Sequence, residues 1–306
     1  MLSNSINCQT DPARRVQRML GGACLLLAMA ACRPVEMPPP PQAVAVGPEA
    51  SATAAADRAA ATPVGPEAGG ASADPTDAPV RAPQVVSWSA GGLAFEGVAF
   101  DSRGHRLRLV DQAGGPGSLF ANAAEAARAA DGLAAVNAGF FTPEGEPLGL
   151  AVAAGQAAGN WNRESSLAAG IWYEDGSGIQ RISRRGALGA ERARRMPELL
   201  QSGPMLVEDG RAVRGLGGGE PRPRTLIAWD GGSRWWIGRA APCTMPAMAE
   251  ALAGSGGPGF RVLHALNLDG GRSSELWVDG GVSGGPLTRR PLLNRRVRNH
   301  LVLVAR

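Results

Sequence analysis

Four short polar, glycine-rich islands interrupt otherwise apolar stretches of this 306-residue chain: Asn137-Ala138-Gly139-Phe140-Phe141, Gln201-Ser202-Gly203-Pro204, Arg222-Pro223-Arg224-Thr225 and Asn267-Leu268-Asp269-Gly270-Gly271-Arg272-Ser273-Ser274. Together they hold a carboxylate, cationic forks, hydroxyls and amides, groups that acid–base and anion-binding chemistry use when they converge on a ligand. Asp269 is the candidate catalytic carboxylate. Arg224 offers a planar, permanently charged fork matched to phosphate oxygens, and Arg272 a second. Gly270 and Gly271 allow backbone N–H groups to face an anion, as in a backbone nest. Asn137 is suited to bonding a hydroxyl or orienting a water, and Ser202 and Ser273 supply hydroxyls, although a hydroxyl beside glycine also caps a turn at little cost. Gly139 and Asn267 complete the candidate set. Each island alone reads as a common turn, as Asp230-Gly231-Gly232 and Asp279-Gly280-Gly281 in the same chain show; the weight lies in their combination.

Composition removes several other chemistries. All 31 basic residues are arginine, so a lysine Schiff base and a P-loop lysine are excluded. The three histidines, His105, His264 and His300, have no zinc-type spacing, and there is no Gly-x-Ser-x-Gly elbow for a Ser-His-Asp hydrolase. No cofactor is required by the sequence. A Ca²⁺ or Mg²⁺ ion on Asp269 with Asn137 or Asp279 is conceivable as oxygen chemistry, but no spaced acidic loop demands one. The net charge of +4 is too weak a signal for nucleic-acid binding. The dense cluster Arg289, Arg290, Arg295, Arg296 and Arg298 reads as a solvated run. Glu144 and Glu146 follow Phe141 in a loop and are the candidates for a second carboxylate.

The N-terminus carries Arg14, Arg15 and Arg18 ahead of the apolar run Met19–Ala31. At helical rise this run spans roughly two-thirds of a ~30 Å hydrocarbon core, so residues 1–31 read as a signal peptide. Leu27-Ala28-Met29-Ala30-Ala31-Cys32 resembles a bacterial lipobox, with an ordinary signal peptidase site as the alternative. Lipidation of Cys32 would attach the mature protein to a membrane of the cell envelope. With Cys8 and Cys24 removed and Cys32 acylated, Cys243 alone remains in the folded part, which excludes an intramolecular disulfide. Residues 33–84 contain 15 Ala and 11 Pro and no aromatic residue; such a segment cannot bury a core, so 32–84 is expected to be a disordered tether.

The rest, 85–306, must supply the elements that bring the islands together. Alternation predicts a hairpin, Leu93–Phe100 and His105–Val110, around Asp101-Ser102-Arg103-Gly104. A helix is expected from Ser118 to Ala130 and another after Pro246 with Gly254 at its end. Strands are expected at Leu133–Val136, Leu148–Ala153, Ala168–Glu174, Pro204–Glu208, Thr225–Trp229, Arg234–Gly238, Phe260–Leu268, Ser274–Val278 and Val297–Val304. In Phe260–Leu268 a period of two puts Leu266 and Leu268 on one face with His264, and Asn267 and Asp269 on the other. Trp235 and Trp236 alternate, so one points away from the core if their strand has a single buried face. The predicted class is α+β: a mixed central β-sheet flanked by a few helices, in a single globular domain behind the tether.

The ordered set Asn137-Ala-Gly-Phe-Phe, Pro147-Leu-Gly-Leu, Gln201-Ser-Gly-Pro-Met-Leu-Val, Arg222-Pro-Arg-Thr and Asn267-Leu-Asp-Gly-Gly-Arg-Ser-Ser resembles the phosphodiester glycosidase domain family from about Val98 to the C-terminus. Arg272 stands where the last motif often has a third glycine. The resemblance implies hydrolysis of a sugar phosphodiester or a related envelope glycoside. In that chemistry Asp269 is the catalytic carboxylate, Arg224 the phosphate clamp, and Asn137 a partner for a sugar hydroxyl or the water. The alternative is a non-catalytic glycan-binding or envelope-interaction lipoprotein.

Overall fold

The computed structural model describes residues 79–306 apart from 255. The expected signal segment, Cys8, Cys24, Cys32 and the expected tether up to residue 78 lie outside the described residues. Among the described residues, 17 strands form three sheets, accompanied by three α-helices. The α+β class therefore holds, but the single mixed central sheet does not. Every ladder between the strands is antiparallel. Among the described residues there are none of the long helical crossovers that parallel neighbours need.

The largest sheet has seven strands in the order Gln84–Ala90, Leu93–Asp101, Arg234–Cys243, Arg222–Trp229, His264–Asn267, Met205–Glu208, Arg211–Ala212. A second has Leu287–Arg289, Leu276–Val278, Ala134–Asn137, Asn299–Ala305 and His105–Asp111; a third has Gln156–Ala158, Ala151–Ala153, Glu198–Ser202, Gly170–Glu174 and Gln180–Arg184. One core is shared by all three, with Ile227, Trp235, Ile237 and Leu266 from the first, Val136, Leu276 and Leu301 from the second, and Trp172, Ile182 and Leu200 from the third.

The seven-stranded sheet is covered on both faces. Alternate residues go to separate cores: Trp235, Ile227 and Leu266 to the shared one, and Trp236, Leu226 and Ala265 to a second that the helix Met245–Ala253 closes with Met248 and Leu252. Both tryptophans are therefore fully buried, and neither faces solvent as a single-faced sheet would require. The helix starts where its chemistry says: Thr244 accepts from the Ala247 N–H, proline stands in its first turn, and Gly254 ends it.

The predicted hairpin is a correction. The turn forms, with the Gly104 N–H donating to the Asp101 carbonyl, but its two strands do not pair. Leu93–Asp101 pairs with Gln84–Ala90 and Arg234–Cys243, whereas His105–Asp111 pairs with Asn299–Ala305. The turn is a corner at which the chain passes from one sheet to the next. The first helix also shortens, to Ala123–Ala129, because Asn122 caps it and the N–H groups of Leu119 and Phe120 are taken by Gln112 Oε1. Phe260–Leu268 contracts to His264–Asn267, and His264 lies half-buried against Trp229, ring centroids 5.2 Å apart.

Gly97 and Gly238 face each other across the central strands, with the Trp236 ring lying over them. A Cβ on Gly238 would stand 2.6 Å from Trp236 Cη2 and closer still to the Glu96 carbonyl. Gly238→Ala should cost about 1–3 kcal/mol of stability through overpacking, measured by urea unfolding. Gly176→Ala, with no atom within 4 Å of the added Cβ, should leave the midpoint almost unmoved.

Candidate active site at the junction of three sheets

Three strands from three different sheets end at one place. Ala134–Asn137 ends on Asn137, Glu198–Ser202 on Ser202, and His264–Asn267 on Asn267. Strand ends leave backbone groups without ladder partners, so side chains must satisfy them. Asn137 Nδ2 donates to the Asp269 carbonyl at 2.6 Å, while its Oδ1 accepts from Thr225 Oγ1 at 2.8 Å and the Glu275 N–H at 3.0 Å. Ser202 Oγ donates to the Asn267 carbonyl at 3.0 Å, and Asn267 Nδ2 donates to the Gly203 carbonyl at 2.8 Å. The Asp269 N–H in turn donates to the Ala138 carbonyl at 2.9 Å.

On this floor sits a cavity of about 410 Å³ lined by Phe140, Arg222, Arg224, Asp269, Gly270, Gly271, Arg272, Ser273 and Arg295. Arg224 and Asp269, from separate islands, thus face one space. Asp269 is half-buried and is the sole acidic residue of the lining. Burial pushes its carboxyl above the ordinary range, against the opposing pull of the Ser273 side chain, the Gly270 N–H and the nearby Arg295 charge. Arg224 Nε donates to the Cys243 carbonyl at 3.1 Å. Burial draws the Arg224 pKa down, but a guanidinium remains charged at neutral pH. Arg295 lies over the Phe141 ring at 4.6 Å, its N–H donates to the Arg272 carbonyl, and Arg272 Nε donates to the Leu293 carbonyl.

The structure divides the predicted site residues into two groups. Arg224, Asp269, Gly270, Gly271, Arg272 and Ser273 line the cavity. Asn137, Ser202, Asn267 and Gly139 are buried beneath it. Gly139 donates its N–H to Asn299 Oδ1, and a Cβ there would stand 2.8 Å from Leu200 Cδ1. Gly271 has φ +61, the left-handed region that glycine adopts without strain. The Gly270 N–H, expected to face an anion, donates instead to Asp269 Oδ1 at 2.8 Å.

Several residues that shape the site were not among those chosen from the sequence. Arg295 belongs to the cluster read as solvated, and Arg298 of the same cluster is buried, forming a two-bond pair with Asp111. Thr225, Ser274 and Arg239 form a hydrogen-bonded chain under the floor, and His300 bonds Glu275 at 3.1 Å. The signal available for Thr225 and Ser274 was membership of the islands; for His300 there was none, since its partner is distant in sequence. Glu144 and Glu146 do not line the cavity, and Glu146 reaches Arg298 at 3.4 Å.

Among the described residues no group of three or more His, Cys, Asp or Glu is arranged to hold a metal ion. Asn137 Oδ1, the atom that would join Asp269 on Ca²⁺ or Mg²⁺, is occupied by its two donors, and Asp279 accepts from the Gly281 N–H within its own turn.

The raised Asp269 pKa carries a stability consequence. Its folded pKa lies above the ordinary 3.8, so the folded protein holds this proton more tightly than the unfolded chain. The resulting stability is fully present below the unfolded pKa and is lost as pH rises through the folded one. Asp269→Asn should therefore melt at a higher temperature than the parent at pH 7, with the difference shrinking towards pH 4, as followed by thermal denaturation across that range.

The phosphodiester glycosidase family model matches residues 131–304, more than half of the chain, including every residue of the cavity lining. The catalytic domain of zebrafish N-acetylglucosamine-1-phosphodiester alpha-N-acetylglucosaminidase, in a form auto-inhibited by its pro-peptide, is 16% identical. The match covers 76% of this chain and 85% of that one with a TM-score of 0.53, a likeness of fold. A hypothetical protein from Synechocystis is 18% identical over 76% of this chain and 65% of its own, with a TM-score of 0.47. No curated protein matches the chain. The family match over the residues that build the cavity shows that the chain belongs to the phosphodiester glycosidase family.

Proposed function

We propose that this protein hydrolyses a glycosyl phosphodiester, or a closely related glycosidic bond, in the cell envelope, with Asp269 as the catalytic carboxylate and Arg224 as the phosphate clamp. The observation that carries this reading is the inventory of the cavity: one carboxylate and four guanidinium groups. Glycosidases that expel an alcohol use two carboxyl groups, one of which protonates the departing oxygen. A phosphate leaves as a stable anion and needs its charge held rather than a proton supplied. Fixed arginines serve that purpose.

In the proposed reaction a water oxygen bonds to the anomeric carbon and the bond from that carbon to the phosphate oxygen breaks. The electron pair departs on the phosphomonoester, which Arg224 holds, and the proton of the water passes to Asp269. Products are the free sugar and the phosphomonoester. A pKa raised by burial makes the ionised Asp269 a stronger base than an exposed aspartate. Asn137, Ser202 and Asn267 act as positioning residues: they set the strand ends from which the Asp269 loop departs. The signal-like segment and the lipobox-like sequence ending at Cys32 support export and lipid anchoring.

Asp269→Asn should reduce kcat on a sugar-1-phosphodiester by about 10²–10⁴-fold while the variant stays folded. Wild-type activity should fall as pH drops through the raised Asp269 pKa. In H₂¹⁸O the label should appear on the sugar C1 hydroxyl. Label in the phosphate would mean phosphorus–oxygen cleavage and overturn the glycosidase assignment, and a saccharide that binds without being consumed would favour the glycan-binding alternative. Arg224→Ala should lower kcat/KM by roughly 10²-fold or more through the lost charge-assisted contact.

A further inference from the structure

Beside the cavity, the loop between the strands Leu287–Arg289 and Asn299–Ala305 reads Arg290-Pro291-Leu292-Leu293-Asn294-Arg295-Arg296. Leu292 is 100% and Leu293 71% exposed, the most open large apolar side chains among the described residues. Two adjacent leucines in water are unfavourable in isolation, yet this loop is tied down. Asn294 Nδ2 donates to Glu275 Oε2, the Leu293 carbonyl accepts from Arg272 Nε, the Arg295 N–H donates to the Arg272 carbonyl, and the Arg295 guanidinium rests on Phe141. The backbone is held while the leucines project. The adjoining turn, joined to the loop's base by the Gly117 N–H to the Val297 carbonyl, carries another exposed leucine, Leu119.

The charges on the loop itself have one sign. Arg290, Arg295 and Arg296 bracket the leucines, all exposed and, among the described residues, without an ion-pair partner. Arg272 extends the cationic surface to the cavity mouth. Apolar side chains projecting from a ring of arginines match the interface of an anionic bilayer. There the leucines enter the acyl boundary while the guanidinium groups remain among the headgroup phosphates. We propose that the 290–296 loop is a membrane-docking element for an anionic lipid surface. Because Arg272 and Arg295 belong to both the loop surface and the cavity lining, docking would set the cavity mouth against the headgroup layer. Resting on the catalytic reading above, the substrate class is then a glycosyl phosphodiester borne on a lipid.

Hydrogen exchange of the full chain tests this without relying on turnover. With vesicles of phosphatidylcholine containing phosphatidylglycerol, amides of 290–296 should exchange several-fold more slowly than in solution. Pure phosphatidylcholine should give little protection, and the Leu292→Asp/Leu293→Asp double variant should lose it. A chain that sediments with the anionic vesicles while 290–296 exchanges at its free rate would overturn the proposal, because attachment would then lie elsewhere. Protection that appears without lipid and grows with protein concentration would overturn it too, since a second copy would be the occupant. On a water-soluble sugar phosphodiester the double variant should equal the parent, and on the same group carried by a lipid in anionic vesicles it should be at least tenfold slower. Equal rates on the lipid-borne substrate would overturn the substrate class. Lack of turnover by the parent on either substrate would count against the catalytic reading and leave the exchange result standing.

Discussion

The carboxamide of Asn137 is the interaction on which the site depends. From a strand end of the second sheet, this one buried side chain bonds the loop after His264–Asn267, the strand Arg222–Trp229 of the first sheet and the start of the segment leading to Leu276–Val278. A buried amide cannot leave its donors and acceptors unpaired without a free-energy cost comparable to a lost hydrogen bond. The geometry in which all three bonds close therefore selects the path of the Asp269 loop. Ser202 and Asn267 make the corresponding connection to the third sheet. The cavity is thus a product of sheet assembly, and its floor is a polar network in which Asn137 bonds through both its amide atoms while the buried Asn267 Oδ1 has no partner.

Above that floor the electrostatics run the opposite way. Arg222, Arg224, Arg272 and Arg295 gather around a single carboxylate, and Asp269 accepts from its own neighbour Gly270. Concentrated positive charge without matching acids is unfavourable in the folded protein alone and becomes favourable when an anion enters. Burial raises the Asp269 pKa while the nearby Arg295 charge lowers it, so the proton affinity of the carboxylate reflects both its enclosure and the cationic wall. The same arginines continue outward to the leucine-tipped loop, which joins the interior of the cavity to the surface beyond it.

Much of the candidate site was legible because it is local. Asp269, Gly270, Gly271 and Arg272 are contiguous, and glycine next to a carboxylate at a strand end announces a loop where backbone and ligand approach closely. The strands themselves were visible from alternation, and the helix Met245–Ala253 from Pro246 and Gly254. What local pattern missed was pairing. The turn Asp101–Gly104 has the composition of a hairpin, but Leu93–Asp101 pairs with Arg234–Cys243 in the first sheet and His105–Asp111 with Asn299–Ala305 in the second. Arg295 and Arg298 share one run of arginines, and only their distant partners, Phe141 and Asp111, separate a cavity wall from a buried ion pair.

The sequence by itself determined the chemical vocabulary: no lysine, isolated histidines, one carboxylate within the Asp-Gly-Gly-Arg island and arginines in neighbouring islands, in the order that marks the family. These properties belong to residue types and short spacings, which survive any arrangement of the elements. Tertiary structure alone decided that Asn137 and Ser202 hold the floor while Arg295 joins the wall. It also decided that Trp235 and Trp236 are both interior and that His300 meets Glu275. Each of these outcomes depends on contacts between segments far apart in the chain, and such contacts are set by how three sheets close on one core rather than by any periodicity within a strand.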